Sequence, residues 1–136
     1  MKKNKYIITV FALLTVLFFN SCQESNYEFG DIISPTNITI SAEIVGKDAN
    51  NPFGDGTGTV NFTVTADNAI SYVYYFDGRA EKSPSGILSK RFSKVGVNKY
   101  TVVVQANGTG GNSSSKTIEV EVYSSFSDVD AENFLS

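Results

Sequence analysis

Between residues 38 and 123 apolar side chains recur at every second position, in short runs separated by clusters of glycine, serine, asparagine and aspartate. A period of two sends successive side chains to opposite faces of an extended strand, so each run buries one face and wets the other. Ile38, Ile40, Ala42 and Ile44 alternate with Thr39, Ser41 and Glu43. Val60, Phe62 and Val64 alternate with Thr59, Asn61, Thr63 and Thr65, and Tyr72, Tyr74 and Phe76 put three rings on one face. Further runs lie at 87–92, 100–106 and 117–123, and turn-forming clusters lie at 54–58, Gly78, 83–86, Gly96 and 108–115. No helical period interrupts them. Six or seven short strands at this spacing predict an all-β fold, an immunoglobulin-like antiparallel β-sandwich over residues 36–124. About a dozen inward side chains, at roughly 1.5 to 3 kcal/mol each, supply its core.

The first residues follow another rule. Lys2, Lys3 and Lys5 precede an apolar run over 6–19, and no acidic residue appears before Glu24. The run is shorter than the roughly 20 residues that span a bilayer as a helix, which predicts a cleaved signal peptide over 1–21. It ends in Asn20-Ser21-Cys22, with a small residue directly before the only cysteine of the chain. This resembles the lipobox of bacterial lipoproteins, which implies a diacylglycerol thioether on Cys22 and cleavage just before it. With no second cysteine, the remaining domain is expected to hold together by packing alone. Residues 22–35 are polar and aperiodic and read as a flexible tether, and 125–136 as a C-terminal tail or linker stub. The acidic stretch after Cys22 resembles an export signal of surface lipoproteins, which implies a lipid-anchored protein exposed on the outer membrane of a Gram-negative bacterium.

Removal of residues 1–21 leaves eight basic against fourteen acidic residues, a formal charge of −6. A negative domain is a poor partner for nucleic acid, and the membrane contact is expected through the lipid. The chain contains no histidine, no GxSxG elbow and no P-loop, so no enzyme activity is expected. Glu119 and Glu121 alternate outward on one strand beside ordinary polar residues.

Three segments together resemble the PKD (polycystic kidney disease) domain family. Residues 72–78 (YVYYFDG) are similar to its YxWDFGDG strand and turn, residues 92–104 to its aromatic-Gly-YTVxV block, and 117–122 to its last strand. Tyr74 stands where the family has Trp, and Asp77 is what remains of the acidic turn. Residues 51–58 and 66–70 further resemble PKD-like modules of Sus-type polysaccharide-utilisation lipoproteins. That resemblance implies a non-catalytic spacer or glycan-binding accessory, with a β-glucan or a glycan-utilisation protein as partner. The alternative is a protein interaction or adhesion domain docking through a sheet edge or a face carrying Tyr75 and Tyr123.

Tyr72, Tyr74 and Phe76 are expected in the core, which leaves Tyr75 and Tyr123 as the candidate exposed aromatics for binding. Tyr100, following Gly96, fits a tyrosine corner, whose hydroxyl bonds to backbone. No cofactor is expected beyond the covalent lipid, and no metal site. The nearest approach to one is Asp48, Asn50 and Asp55, oxygen ligands of the kind calcium takes, at a spacing foreign to an EF-hand loop.

Overall fold

The computed structural model describes residues 2–17 and 30–125, which fall into two units divided at Gly30. In the first unit Lys2–Leu17 form one α-helix, α1. No described helix is long and apolar enough to cross a membrane. Cys22, most of the expected tether and the tail beyond Ser125 lie outside the described residues.

The second unit holds seven strands: β1 (Thr36–Ile44), β2 (Thr59–Asp67), β3 (Ser71–Phe76), β4 (Arg79–Ser83), β5 (Ile87–Arg91), β6 (Gly96–Asn107) and β7 (Ser113–Ser124). They form two antiparallel sheets, ordered β1-β2-β5 and β4-β3-β6-β7. This is an immunoglobulin-like sandwich in which the fourth strand pairs with the third, whereas constant-type domains pair it with the fifth. The expected alternations form strands in the expected places, and the two strands of the long β6–β7 hairpin extend further. Gly96 and residues 113–115, read as turns, are ends of β6 and β7, each twelve residues long.

β4 escaped the periodicity reading for a physical reason. It carries Arg79, Glu81 and Lys82 and lies at a sheet edge, where charge blocks pairing with further strands. Its position is set by the turn before it. Phe76 pairs with Arg79 across Asp77 and Gly78, whose φ values of 48° and 79° are the two positive angles of a hairpin turn that matches strand twist.

The core is filled by Val60, Phe62 and Val64 of β2, Tyr74 and Phe76 of β3, Val102 and Val104 of β6, Val120 and Val122 of β7, and Phe92. Its rings touch in sequence: Phe62 lies 5.7 Å from both Tyr74 and Phe76, and Phe76 meets Phe92 edge-on at 5.9 Å. Offset and edge-on contacts of this kind add to the area they bury. Tyr72 is only half-buried, as is the whole apolar face of β1.

Two tyrosines of β3 tie the sheets together. Tyr74 Oη donates to the Gly86 carbonyl at 2.6 Å, and the same oxygen accepts from the Val64 amide at 2.9 Å. Tyr72 Oη accepts from the Ala66 amide at 3.0 Å. The backbone bond expected of Tyr100 is therefore made by these two residues, while the Tyr100 ring stacks on Phe92 at 4.0 Å. Gly86 has φ of +80°, and a Cβ there would stand 2.4 Å from the Val64 carbonyl oxygen. Outside the core, Lys90 of β5 reaches Glu81 of β4 across one open side, its ammonium 4.9 Å from the centre of the Phe76 ring. On the other side Lys116 Nζ of β7 donates to the Ile38 carbonyl of β1 at 2.9 Å.

The chain enters and leaves the sandwich at opposite ends. Before β1, Pro35 is fully buried, and Asn112 Nδ2, beside the β6–β7 turn, donates to the Ile32 carbonyl. Residues 32–35, expected within the tether, thus pack on the domain. At the other end Ser124 pairs with Gly96, and the Ser125 amide donates to the Gly56 carbonyl at 2.9 Å. Twelve residues of β7 separate the two points, a span of about 40 Å at about 3.3 Å per residue.

Gly86→Ala is expected to lose more stability in urea than Gly78→Ala, whose Cβ would meet nothing within 4 Å. Left-handed strain alone costs about 1 to 2 kcal/mol, and the contact with Val64 adds to it at Gly86 only; equal losses would contradict the close approach. Tyr74→Phe should cost about 1 kcal/mol by losing one hydrogen bond while keeping the ring. Burial, with a smaller contribution from Tyr72, pushes the Tyr74 phenol up to about 12. Its neutral form is favoured by folding, so that stabilisation is complete below about pH 10, the ordinary phenol value, and is lost as pH rises through about 12. Tyrosinate absorbance in an alkaline titration should show one phenol ionising last, together with loss of circular dichroism; in Tyr74→Phe that step should vanish.

Candidate functional site

The β1–β2 loop, which runs from residue 45 to 58, lies at the exit end and holds the oxygen cluster. Asp48 Oδ1 accepts the Asn50 and Asn51 amides, each at 2.8 Å, and Asn51 Nδ2 donates to both carboxylate oxygens. Asp55 Oδ1 accepts the Thr57 amide at 3.0 Å and the Thr57 hydroxyl at 2.7 Å. These are Asx turns, in which a short side chain replaces a backbone acceptor. The Asp48 carboxyl is held below the usual carboxylate range by the Asn51 and Asn50 amides, and that of Asp55 by the Thr57 hydroxyl and amide. Both carboxylates are thus engaged in their own loop, and Asn50 enters the cluster through its backbone. Among the described residues no group of three or more His, Cys, Asp or Glu side chains converges as metal ligands would.

Tyr75 and Tyr123 lie on the outer face of the four-stranded sheet, as their alternation requires. Tyr75 is half-buried, its hydroxyl 3.3 Å from Gln105 Oε1, and Tyr123 is 39 % exposed. Tyr75 pairs with Val103 of β6 and Tyr123 with Val97 of the same strand. Six residues of β6 place them about 20 Å apart along the strand. Between them runs the pair Lys99–Glu119 at 2.6 Å, in which the hydrogen bond to Glu119 and its charge hold the ammonium pKa up. The two rings do not form one stacking platform, and a single ring covers only one sugar face.

A feature that alternation alone did not reveal is the side of the sandwich between β1 and β7. A groove of about 370 Å³ lies there, in which Ala42, Ile44, Phe53 and Ile118 are joined by the charged Lys47, Lys99, Glu119 and Glu121. The exit-end loop covers the end of β7, with the Tyr123 amide donating to the Phe53 carbonyl at 2.9 Å. Alternation puts Ala42, Ile44, Ile118 and Val120 on inward faces but gives no measure of how the two strands approach.

Acid should weaken the β1–β2 loop. Both carboxylates stabilise the fold when ionised, so their contribution is full above the ordinary carboxylate pKa and is lost as pH falls through their lowered values. Melting temperatures from about pH 6 to about pH 2 should fall less steeply in an Asp48→Ala, Asp55→Ala double variant than in the parent; parallel curves would contradict the assignment.

No protein-family profile matches the chain, and no curated protein matches it. Among solved structures it is similar to the PKD1 domain from the Vibrio cholerae metalloprotease PrtV, with 16 % identity and a TM-score of 0.49, over 68 % of this chain and 100 % of that one.

Proposed function

We propose that this chain is a non-catalytic, PKD-like spacer module, held to the outer membrane by a lipid on Cys22, that presents glycan-handling machinery at the cell surface. The observation that carries the reading is the placement of the chain ends: the sandwich receives the chain beside the β6–β7 turn and releases it at the far end of β7. A rod loaded this way adds its own length between an anchor and whatever follows. The lipobox-like Asn20-Ser21-Cys22 and the basic and apolar stretch before it support the anchor. The segments similar to PKD domains support the module type, and Asp77-Gly78 occupies the tight hairpin turn that the similar motif calls for. The distance between Tyr75 and Tyr123 favours presentation over direct capture of a polysaccharide such as a β-glucan.

A second reading, docking of a partner protein, is favoured by the groove between β1 and β7, where Ile44, Phe53 and Ile118 lie beside the charged Lys47, Lys99, Glu119 and Glu121. A photo-crosslinker at position 53 that joins one defined cell-surface partner, when the same group at position 75 does not, would favour it over spacing.

For the leading reading, intact-mass measurement of the membrane fraction should show a chain beginning at residue 22 and carrying acyl mass, and Cys22→Ser should abolish both the acyl mass and membrane retention. Affinity electrophoresis of the mature protein in a β-glucan gel should show no retardation. Retardation that Tyr75→Ala removes would replace spacing by direct capture, and membrane retention of Cys22→Ser would end the lipid anchor.

A further inference from the structure

The end of the sandwich where the chain enters carries three exposed isoleucines that the packing of the domain does not use. Ile32 is 55 % exposed, Ile33 49 % and Ile70 64 %. They belong to one locality. A Cβ on Gly108 would stand 2.9 Å from Pro35 Cδ, 3.0 Å from the Ile33 carbonyl and 3.2 Å from the Asn68 carbonyl, while the Ile70 amide donates to the Asn107 carbonyl at 2.7 Å. A Cβ on Gly110 would come within 2.9 Å of the Ile32 side chain. The backbone that bears them is fixed by these contacts, by the burial of Pro35 and by the Asn112 hydrogen bond to Ile32. Apolar side chains held at a tip without a cover mark an interaction surface.

We infer that this end rests on the lipid bilayer, with Ile32, Ile33 and Ile70 in the interfacial region as a second membrane contact beside the anchor. The inference rests on the lipid anchor proposed above, and the occupant follows from chain length. Nine residue steps separate Cys22 from Asp31, which reach no more than about 32 Å even when fully extended. The acyl chains therefore hold this end at a high local concentration of lipid, where a weak contact suffices. Its chemistry suits the interface. In residues 30–35, 67–70 and 107–112 the only charged side chains are Asp31 and Asp67, and Asp67 accepts a hydrogen bond from Asn37 Nδ2 at 2.7 Å. The contact is apolar, so it does not depend on anionic lipid. The consequence is orientation: with the entry end down on the bilayer, the long axis of β7 points away from it.

Acylation leaves the parent chain without a free thiol, so Ile70→Cys and Val95→Cys each offer one site for a nitroxide in the lipidated protein. Position 95 belongs to the loop before β6, at the exit end. The proteins are floated with phosphatidylethanolamine vesicles with and without phosphatidylglycerol, and collision with oxygen is compared with collision with a water-soluble nickel chelate. The label at 70 is expected to be rich in oxygen collisions and at least five-fold less accessible to nickel than the label at 95, alike in both vesicles. Flotation with equal nickel access at 70 and 95, or protection that needs phosphatidylglycerol, would overturn this inference alone. Failure to float would overturn the anchor and this inference with it.

Discussion

The Gly86 carbonyl, shared between the Tyr74 hydroxyl and the Val64 amide, is the contact on which the two layers depend. Tyr74 stands on the third strand and Val64 on the second, so a single oxygen joins one strand from each sheet. The arrangement demands three things at once: a ring long enough to cross the core, a hydroxyl at its end, and a residue without Cβ where it lands. Packing alone would place the aromatics; the hydroxyl fixes their depth, and depth fixes the alignment of the sheets. A buried carbonyl with two donors is fully satisfied, which removes the penalty that an orphaned acceptor would carry.

From that alignment follow the two sides of the sandwich. On one, Lys90 lies over the Phe76 ring and pairs with Glu81, closing the space between the two edge strands β4 and β5. On the other, β1 and β7 lie side by side, Lys116 bridges to Ile38, and a groove of mixed apolar and charged lining persists. β1 and β7 both run away from the entry end, which is why the chain is released a strand length from where it was received. The proposed spacer role rests on this geometry, and the proposed bilayer contact of the entry end would give it a direction.

The sequence made most of the fold legible because burial writes itself as alternation. Phe62 and Val64 were identifiable as core from period alone, since each sits between residues that face water, whereas Tyr74 and Phe76 are flanked by the half-buried Val73 and Tyr75. β4 was not, because an edge strand protected by Arg79 and Lys82 leaves little apolar face to read. The role of Gly86 was equally hidden: as one of a Ser-Pro-Ser-Gly turn it looks like any other loop glycine, and only the nearby Val64 carbonyl shows why no side chain fits. Tyr100 was assigned the hydroxyl bond that Tyr72 and Tyr74 make, since sequence position gives a ring its face but not the reach of its oxygen. Of the candidate site residues, alternation placed Tyr75 and Tyr123 on the correct face yet carried no measure of their separation, and Asp48 and Asp55 were visible as a cluster but not as caps of their own turns.

The claim that the domain holds its two chain ends apart is tested most directly by a distance. Spin labels at Asp31→Cys and Ser125→Cys in a Cys22→Ser background, read by pulsed dipolar spectroscopy, should give one narrow distribution centred on the order of 35 to 40 Å, the length of a twelve-residue strand. A distribution centred below about 20 Å, half that length, would bring entry and exit to the same end and contradict the account.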